Sequence, residues 1–499
     1  MDLLCNPLYA FVFISFTMKM EIQKLSNPTL ILSCCIASAG ITGCNKEESA
    51  KPNIILVMAD DQGWGDMGYN GHPVLKTPNF DEMASTGLCF NRFYAAAPVS
   101  SPTRGSVMTG RHPNRYGCFS WGRTIRPQEI TVAEALNTAG YVAGHFGKWH
   151  LGSVRKESPV NPGNSGFDEW LSAPNFFDND PILSREGKAV QTYGESSMVT
   201  VDAAIEFIRK HSNKVQPFFA VVWFGSPHNP HLALEQDREP YLGMDERLQH
   251  YYGEITGMDR AFGKLRQELK ALGINKNTIL WYCSDNGGQT KEYSLTGGRG
   301  QKGQIYEGGL RVPALLEWPA RIPEPRITNI PCNTSDLYPT LLEIAGVSME
   351  NQLELDGISL LPLIDNKMEE RTRAIGFWQY PGSGRAVSSA SLMAELLKEQ
   401  EADITAVDTS KLDLDAGDIK DKYPLDIFPG HAAWLDWPYK LHRINIKNDE
   451  VKFELYNLEE DRCETRDLAD QHPELVRQLT GEWLRYARRV QLYPFYLPE

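Results

Sequence analysis

Cysteine is scarce and scattered in this chain. There are 9 cysteines in 499 residues, four of them before residue 45. The other five, Cys89, Cys118, Cys283, Cys332 and Cys463, are far apart and odd in number. No CxxC pair occurs, which removes a zinc ribbon, and such spacing defines no disulfide framework. Positive charge is also in deficit: 50 Lys and Arg against 64 Asp and Glu leave a formal net charge of −14. A nucleic-acid-binding surface needs the opposite balance, so no nucleic-acid partner is expected. An acidic protein that handles an anionic substrate must instead gather Lys, Arg and His at one place. Internal repeats and low-complexity tracts are lacking too. With 41% hydrophobic residues, the composition is that of a soluble globular protein with a core of one or two domains.

The first fifty residues differ from the rest. Met18-Lys19-Met20 through Lys24 give a short basic start, Thr29 to Ile41 are nearly all apolar or small, and the run closes Ile41-Thr42-Gly43-Cys44. A basic region, an apolar stretch too short to span comfortably and small residues before a cleavage point describe an export signal. The last four resemble a bacterial lipobox, which implies a lipidated Cys44 as membrane anchor. Asn45-Lys46-Glu47-Glu48 is similar to the charged signal that sends some lipoproteins to the cell surface. The expectation is an exported outer-membrane lipoprotein, surface-exposed or periplasmic; the alternative is a plain secretory signal with an accidental cysteine. Met1 to Thr17 reads as an upstream mis-start. Residues 1–50 are therefore set apart as signal and linker.

Beyond them, Asn53 to Ala59 is a continuous apolar run ending in two aspartates, and similar runs recur at Pro217 to Phe224 and Thr278 to Cys283. Runs of this kind suit central parallel strands buried on both faces. Helical patterns at Thr131 to Thr138 and Asp202 to His211 lie between them. The fold class is α/β: a large, mostly parallel or mixed sheet sandwiched by helices, over residues 51–370. The remainder, 371–499, reads as a small α+β subdomain with an antiparallel sheet. Its hairpin is Tyr439 to Ile446 and Val451 to Leu458 around the turn Lys447-Asn448-Asp449-Glu450, and a helix follows near Pro473 to Val490. Residues 390–428 are charged and read as irregular.

Asp60-Asp61 and Ser284-Asp285-Asn286 each directly follow a strand, and ligands of open α/β sheets collect beyond the carboxyl ends of strands. Carboxylates and an amide, with no thiol and no obligatory His, favour a hard cation such as Ca²⁺ or Mg²⁺. In Ser100-Ser101-Pro102-Thr103-Arg104-Gly105, Pro102 suits the first helical position, which puts Ser100 at a helix N-terminus that favours an anion. Arg104 lies about one turn along. Singly, each feature has a plainer meaning: Asp-Asp as a turn, Ser-Ser-Pro as a helix cap.

Together they do not read singly. Ser100-x-Pro102-x-Arg104-Gly105 followed by Met108-Thr109-Gly110-Arg111 resembles the signature of type I sulfatases, within the alkaline-phosphatase superfamily. Five further segments match in order: Asp60-Asp61-Gln62-Gly63, Gly147-Lys148-Trp149-His150, Ser226-Pro227-His228, Ser284 to Gly287, and Lys302-Gly303 with Tyr306 to Gly309. The resemblance spans roughly residues 50–365. It implies that Ser100 is oxidised to formylglycine by a sulfatase-maturing enzyme, and that Asp60, Asp61, Asp285 and Asn286, with residue 100, hold Ca²⁺ (Mg²⁺ less so). It further implies that Arg104 steadies the nucleophile, Lys148 and Lys302 bind sulfate oxygens, His150 assists deprotonation and His228 protonates the leaving alcohol. His231 and Trp434 are added as substrate contacts, with Trp437 beside the latter. Serine rather than cysteine at position 100 resembles the members matured by an oxygen-sensitive radical enzyme; an introduced Cys→Ser change would read the same. The expected substrate is a sulfated glycan, from mucin, glycosaminoglycan or algae. The alternatives are a phosphodiesterase or phosphonate monoester hydrolase of the same superfamily, and a glycan-binding lipoprotein whose Ser100 is never converted. Nothing in the sequence bears on oligomeric state.

Overall fold

A strand apolar on both faces must be covered on both faces, and the apolar runs of this sequence become neighbours in one sheet. The computed structural model describes residues 50–382, 384–419, 428–446 and 450–492. Its central strands are β1 (Asn53–Ala59), β2 (Val142–Lys148), β3 (Glu169–Ala173), β4 (Phe218–Trp223) and β5 (Thr278–Ser284), all parallel, in the spatial order β5-β1-β4-β2-β3. Antiparallel strands extend both sides: Ala314–Glu317 beside β5, and Ile182–Arg185 then Lys188–Gln191 beyond β3. Leu88–Phe90 and Arg326–Thr328 complete a sheet of ten strands.

The alternation of β1 shows why helices lie on both sides. Ile54, Leu56 and Met58 enter one apolar cluster, while Ile55, Val57 and Ala59 enter the other. The first is closed by α1 (Ser100–Thr109) and α2 (Val132–Thr138), through Val107, Met108, Val132 and Leu136. The second is closed by α3 (Ser196–His211) and α4 (Glu246–Ala271), through Val201, Ile205, Ile255 and Phe262. Thr131 caps α2 in a reciprocal box with Glu134. α3 starts at Ser196 rather than at the expected Asp202, because Glu195 accepts from the free Ser197 and Met198 amides.

The C-terminal strands β6 (Ile375–Gln379), β7 (His431–Asp436), β8 (Tyr439–Asn445) and β9 (Val451–Asn457) form an antiparallel sheet. Residues 447–449 of the expected 447–450 turn lie outside the described residues, as do residues 1–49 of the expected signal region 1–50. One segment differs from expectation. Residues 389–401, read as irregular on account of their charge, form α5 (Ser389–Glu401). Its Leu392, Met393 and Leu396 supply an apolar face, and Met393 and Leu396 are buried in the main core. The chain ends, within the described residues, in α6 (Pro473–Leu492), whose Leu479, Trp483 and Ala487 pack on one face of the small sheet. The other face shares a core with Tyr94, Ile305 and Leu310 of the large domain. No helix among the described residues is long and apolar enough to cross a membrane.

Candidate active site

Strand register assembles the site. Ala59 pairs with Ser284, so Asp60-Asp61 and Asp285-Asn286 leave adjacent parallel strands at the same level. Lys148 ends β2, and Gly147 lies beside Trp223 of β4, one strand further along. The loops after these strands carry His150 and His228. Asp61 and His150 both hold left-handed backbone, φ 64° and φ 53°, a strained conformation for non-glycine residues that their surroundings must impose. The Asp285 turn also needs glycine: a Cβ on Gly287 would lie 2.0 Å from the Gly308 carbonyl oxygen, and the Gly287 amide donates to Gly309.

Ser100 is the first residue of α1, with Val99 as its cap, so Pro102 stands third rather than first in the helix. The position tolerates proline because first-turn amides have no acceptor within the helix. Ser100 Oγ faces Asp60 Oδ1 at 3.3 Å, Asn286 Oδ1 at 3.4 Å and Lys148 Nζ at 3.3 Å. Arg104, one turn on, donates from Nε (3.1 Å) and Nη2 (2.8 Å) to Asp285 Oδ2, and its guanidinium lies 4.9 Å from the centre of the Trp223 ring. Lys148 donates to Asp60 Oδ2 at 2.7 Å, and Lys302 to Asp61 Oδ2 at 2.6 Å. Lys302 is held there by its own loop, whose amides at 302 and 303 donate to the carbonyls of Gly288 and Pro98.

Six charged side chains thus interlock, three carboxylates with three cations. Burial alone would raise the pKa of Asp60 and Asp61, but Lys148 and Lys302, with His228, outweigh it and hold both carboxyls below their ordinary range. Lys148 is wholly enclosed, and burial lowers its pKa despite Asp60. Lys302 also feels the burial penalty, yet Asp61 and Asp60 prevail and its pKa is raised. Burial, reinforced by Lys148, drives the His150 pKa well below 6.5, so the ring is neutral. His228 is lowered as well, by burial against Asp61.

Ligand oxygens of Asp60, Asp61 and Asp285 lie within 4.8 Å of one another, and all three side chains are fully buried. Asn286 Oδ1 turns to the same Ser100 hydroxyl, while its amide nitrogen is fixed by Asp61 Oδ1 at 2.8 Å. An all-oxygen donor set that is mainly anionic fits a hard divalent cation.

Ser100, Arg104, Lys148, Lys302, His228, Asp60, Asp61, Asp285 and Asn286 come together, and His150 lies within electrostatic reach of them. The His228 ring stacks on Phe176 with centroids 3.9 Å apart, and its Nε2 lies 3.2 Å from Lys302 Nζ and 3.5 Å from Asp61. His231 is placed elsewhere, against Glu254 at 3.5 Å and edge-on to Tyr251 and Tyr293. Trp434 is not a sugar platform: alternation along β7 turns it into the apolar cluster beneath α6, where its ring packs on Tyr486. Trp437 is covered by the Arg92 guanidinium at 3.8 Å. Two features escaped the sequence reading. One is the stacking of Phe176, which no motif marks. The other is the buried group Glu307, Lys440 and Glu464, which ties the segment following Lys302 to the small sheet.

Comparison with known proteins shows the family to which the chain belongs. The profile of the family described as Sulfatase matches residues 52–347. The N-acetylgalactosamine-6-sulfatase of Canis lupus familiaris is 34% identical over 373 residues, covering 67% of this chain and 69% of its own length. The ulvan-active sulfatase of Formosa agariphila is 28% identical over 387 residues, covering 72% of this chain and 75% of its own. Among solved structures, Ps i-CgsB in complex with k-i-k-neocarrahexaose superposes with a TM-score of 0.74 at 26% identity, over 90% of this chain and 95% of the other.

Proposed function

The chain belongs to the sulfatase family and hydrolyses sulfuric esters, and we propose that it acts on sulfated glycans with Ser100 matured to formylglycine and calcium as the metal. The relatives named for N-acetylgalactosamine, ulvan and neocarrahexaose support a sugar substrate. The observation that carries the chemistry is the setting of Ser100: first in a helix, 2% exposed, and touching a carboxylate, an amide oxygen and an ammonium at once.

Asp60, Asp61, Asp285 and Asn286 would hold calcium, which when bound supplies Lewis acidity toward residue 100 and a sulfate oxygen. Hydrated formylglycine would supply two hydroxyls on one carbon: one would take the sulfuryl group as the alcohol leaves, and the other would lose its proton so that sulfate departs and the aldehyde returns, where plain serine would stop at a sulfate ester. Arg104, fixed by Asp285 and Trp223, keeps residue 100 and the metal ligands in one rigid unit. Lys148 and Lys302 flank the pocket as point charges for sulfate oxygens. His228, held by Phe176 and partly open to solvent, donates the proton that a sugar alkoxide needs in order to leave. Neutral His150 accepts a proton from the hydroxyl of residue 100. Export and lipidation at Cys44 belong to the same proposal; labelling with a radioactive fatty acid, lost in Cys44→Ala, tests them.

The deciding experiment is peptide mass spectrometry across Ser100 in protein co-expressed with a radical-type sulfatase-maturing enzyme. It is followed by sulfate release from 4-nitrophenyl sulfate and a panel of sulfated mono- and oligosaccharides. A peptide lighter by two hydrogens, trapped by an aldehyde reagent, together with sulfate release from the panel, is expected. An unmodified serine under proven maturation conditions overturns the formylglycine reading and leaves a glycan-binding lipoprotein as the better account.

A further inference from the structure

Beside the charged cluster lies a cavity of about 240 Å³ whose walls, His150 apart, come from segments the family motifs do not include. On one side stand His150, Ser153 and Val154, from the loop after β2; on the other stand Ala386, Ser388 and Leu392, from the approach to α5 and its first turn. His150 belongs to both places. It senses the charges of Lys148, Arg104 and Lys302, yet it lines this cavity and both its ring nitrogens are buried without a partner. Gly122, also in the wall, donates its amide to Ser101 at 2.8 Å, next to the nucleophile. Asn175 locks the α5 approach in place, its amide groups donating to Ser389 Oγ and the Val387 carbonyl, each at 2.9 Å.

The charge of the lining separates it from the sulfate pocket. Its three Lys and Arg side chains are each tied to a carboxylate: Arg155 to Glu399 at 2.5 Å, Arg385 to Asp413 at 2.8 Å and Lys411 to Glu395 at 2.6 Å. A second anion would have to compete with Glu399, Asp413 and Glu395 for these cations, whereas an uncharged ligand would leave the three pairs intact. What the walls do offer is apolar surface from Val154, Pro174 and Leu392, hydroxyls from Ser153, Ser388 and Ser391, and the free nitrogens of His150. That mixture suits a pyranose, with apolar C–H faces and hydroxyl edges. The volume lies below the roughly 300–1,000 Å³ of drug-sized pockets, which limits the occupant to about one sugar ring.

We propose that this cavity is a subsite for a single uncharged sugar unit adjoining the sulfated one, with the α5 segment as its outer wall. The proposal rests on the sulfated-glycan reading above and adds to it the charge and size of the neighbouring unit. The enzyme then prefers an oligosaccharide whose sulfated residue is joined to a neutral sugar over one joined to a uronate or to a second sulfated sugar.

Its test uses the matured full chain, with 4-nitrophenyl sulfate as a probe too small to need the cavity. For the best glycan of the panel, kcat/KM is compared among the sulfated monosaccharide, the same unit linked to galactose and the same unit linked to glucuronate. The galactose-linked form should lead the other two by about tenfold, the size of one good pocket contact. Ala386→Trp and Ser391→Trp, both at exposed wall positions, should cut the ratio of glycan to aryl-sulfate kcat/KM by about tenfold, chiefly through KM. If aryl sulfate is turned over but neither the linkage preference nor the ratio changes, the subsite is refuted while the sulfatase reading stands. If aryl sulfate is turned over but no glycan of the panel is, the glycan reading falls and the subsite with it.

Discussion

Lys440→Met tests the energetics that hold the Lys302 segment in place. Lys440 Nζ, in the middle of the small sheet, lies 3.0 Å from Glu307 and 3.1 Å from Glu464, and none of the three side chains is more than 2% exposed. Glu464 also accepts the Glu307 amide at 2.7 Å, and Glu307 accepts the Tyr94 hydroxyl at 3.0 Å. Burial penalises the Lys440 charge, but Glu464 and Glu307 outweigh it and its pKa is raised, while Glu464 is itself raised by burial despite Lys440. Methionine keeps the length and removes the charge, leaving two buried carboxylates face to face with only His442 beside them, its Nε2 2.8 Å from Glu464 and its pKa held well below 6.5 by burial. Breaking a buried pair on one side costs about 3–5 kcal/mol, and we expect a loss of that order in urea unfolding followed by circular dichroism. The pH dependence has a definite sign. A carboxyl whose folded pKa is raised contributes stability that is present below its unfolded pKa and lost as pH rises through the folded value. The variant raises the carboxyl pKa further, so its deficit relative to the parent should be larger at pH 8 than at pH 5. Adding Glu464→Gln should recover part of the loss. An unchanged unfolding midpoint at both pH values would refute the reasoning and mean that water, not Lys440, compensates the two glutamates.

Glu254 is buried, its carboxyl pushed from 4.5 up to about 7 by desolvation despite His231; its penalty is absent below the unfolded pKa and complete above pH 7. Glu254→Gln should therefore raise the unfolding free energy at pH 8 more than at pH 5, by up to about 3 kcal/mol, and an equal effect at both pH values argues against the raised carboxyl. Lys302→Ala should lower kcat/KM on aryl sulfate by about 10²–10³ in matured protein of normal melting temperature; a loss under fivefold would remove Lys302 from sulfate binding. Calcium added to EDTA-treated protein should raise the melting temperature, by the equivalent of about 2.7 kcal/mol at a hundredfold excess over Kd. Asp285→Asn should abolish the rise and Ser100→Ala should keep most of it. A calcium response retained in Asp285→Asn would place the ion elsewhere.

The central strands were legible because an apolar run of seven residues has only one stable setting, between two layers of helices. β1 follows the expected bounds, β4 is one residue shorter than expected at each end, and β5 is one residue longer at its C-terminal end. The site followed from the same signal, since aspartates directly after such a strand must emerge at its carboxyl end. What the sequence hid depended on partners distant along the chain. Trp434 looked available beside His431 and Trp437, but the face a strand residue takes is set by alternation and by α6, which arrives some forty residues later. α5 was obscured because the charged stretch that follows it, rather than its own Leu392, Met393 and Leu396 at helical spacing, dominates the composition of residues 390–428. The Glu307–Lys440–Glu464 group has no local pattern at all: its members are separated by up to 157 positions, and only the packing of the small sheet on Tyr94 and Leu310 joins them.

The charge count of the active cluster bears on why an acidic protein can take an anion. Asp60, Asp61 and Asp285 are matched one for one by Lys148, Lys302 and Arg104, so the cluster as it stands is neutral. A neutral cluster in a chain of net charge −14 has no general attraction for sulfate. Its cations are already engaged at 2.6–2.8 Å by the carboxylates that would bind a divalent ion. Adding a divalent cation to those carboxylates makes the local sum positive and weakens their hold on the lysines, so affinity for the cation and for the anion must be linked and reciprocal. Burial makes that linkage strong, because at Lys148 and Asp60 no solvent screens it. The neighbouring cavity, where Arg155, Arg385 and Lys411 each have a carboxylate partner and none of the proposed metal ligands is in the wall, gains less from the same ion. The two halves of the pocket therefore sort a substrate by charge, the sulfate to one side and an uncharged ring to the other.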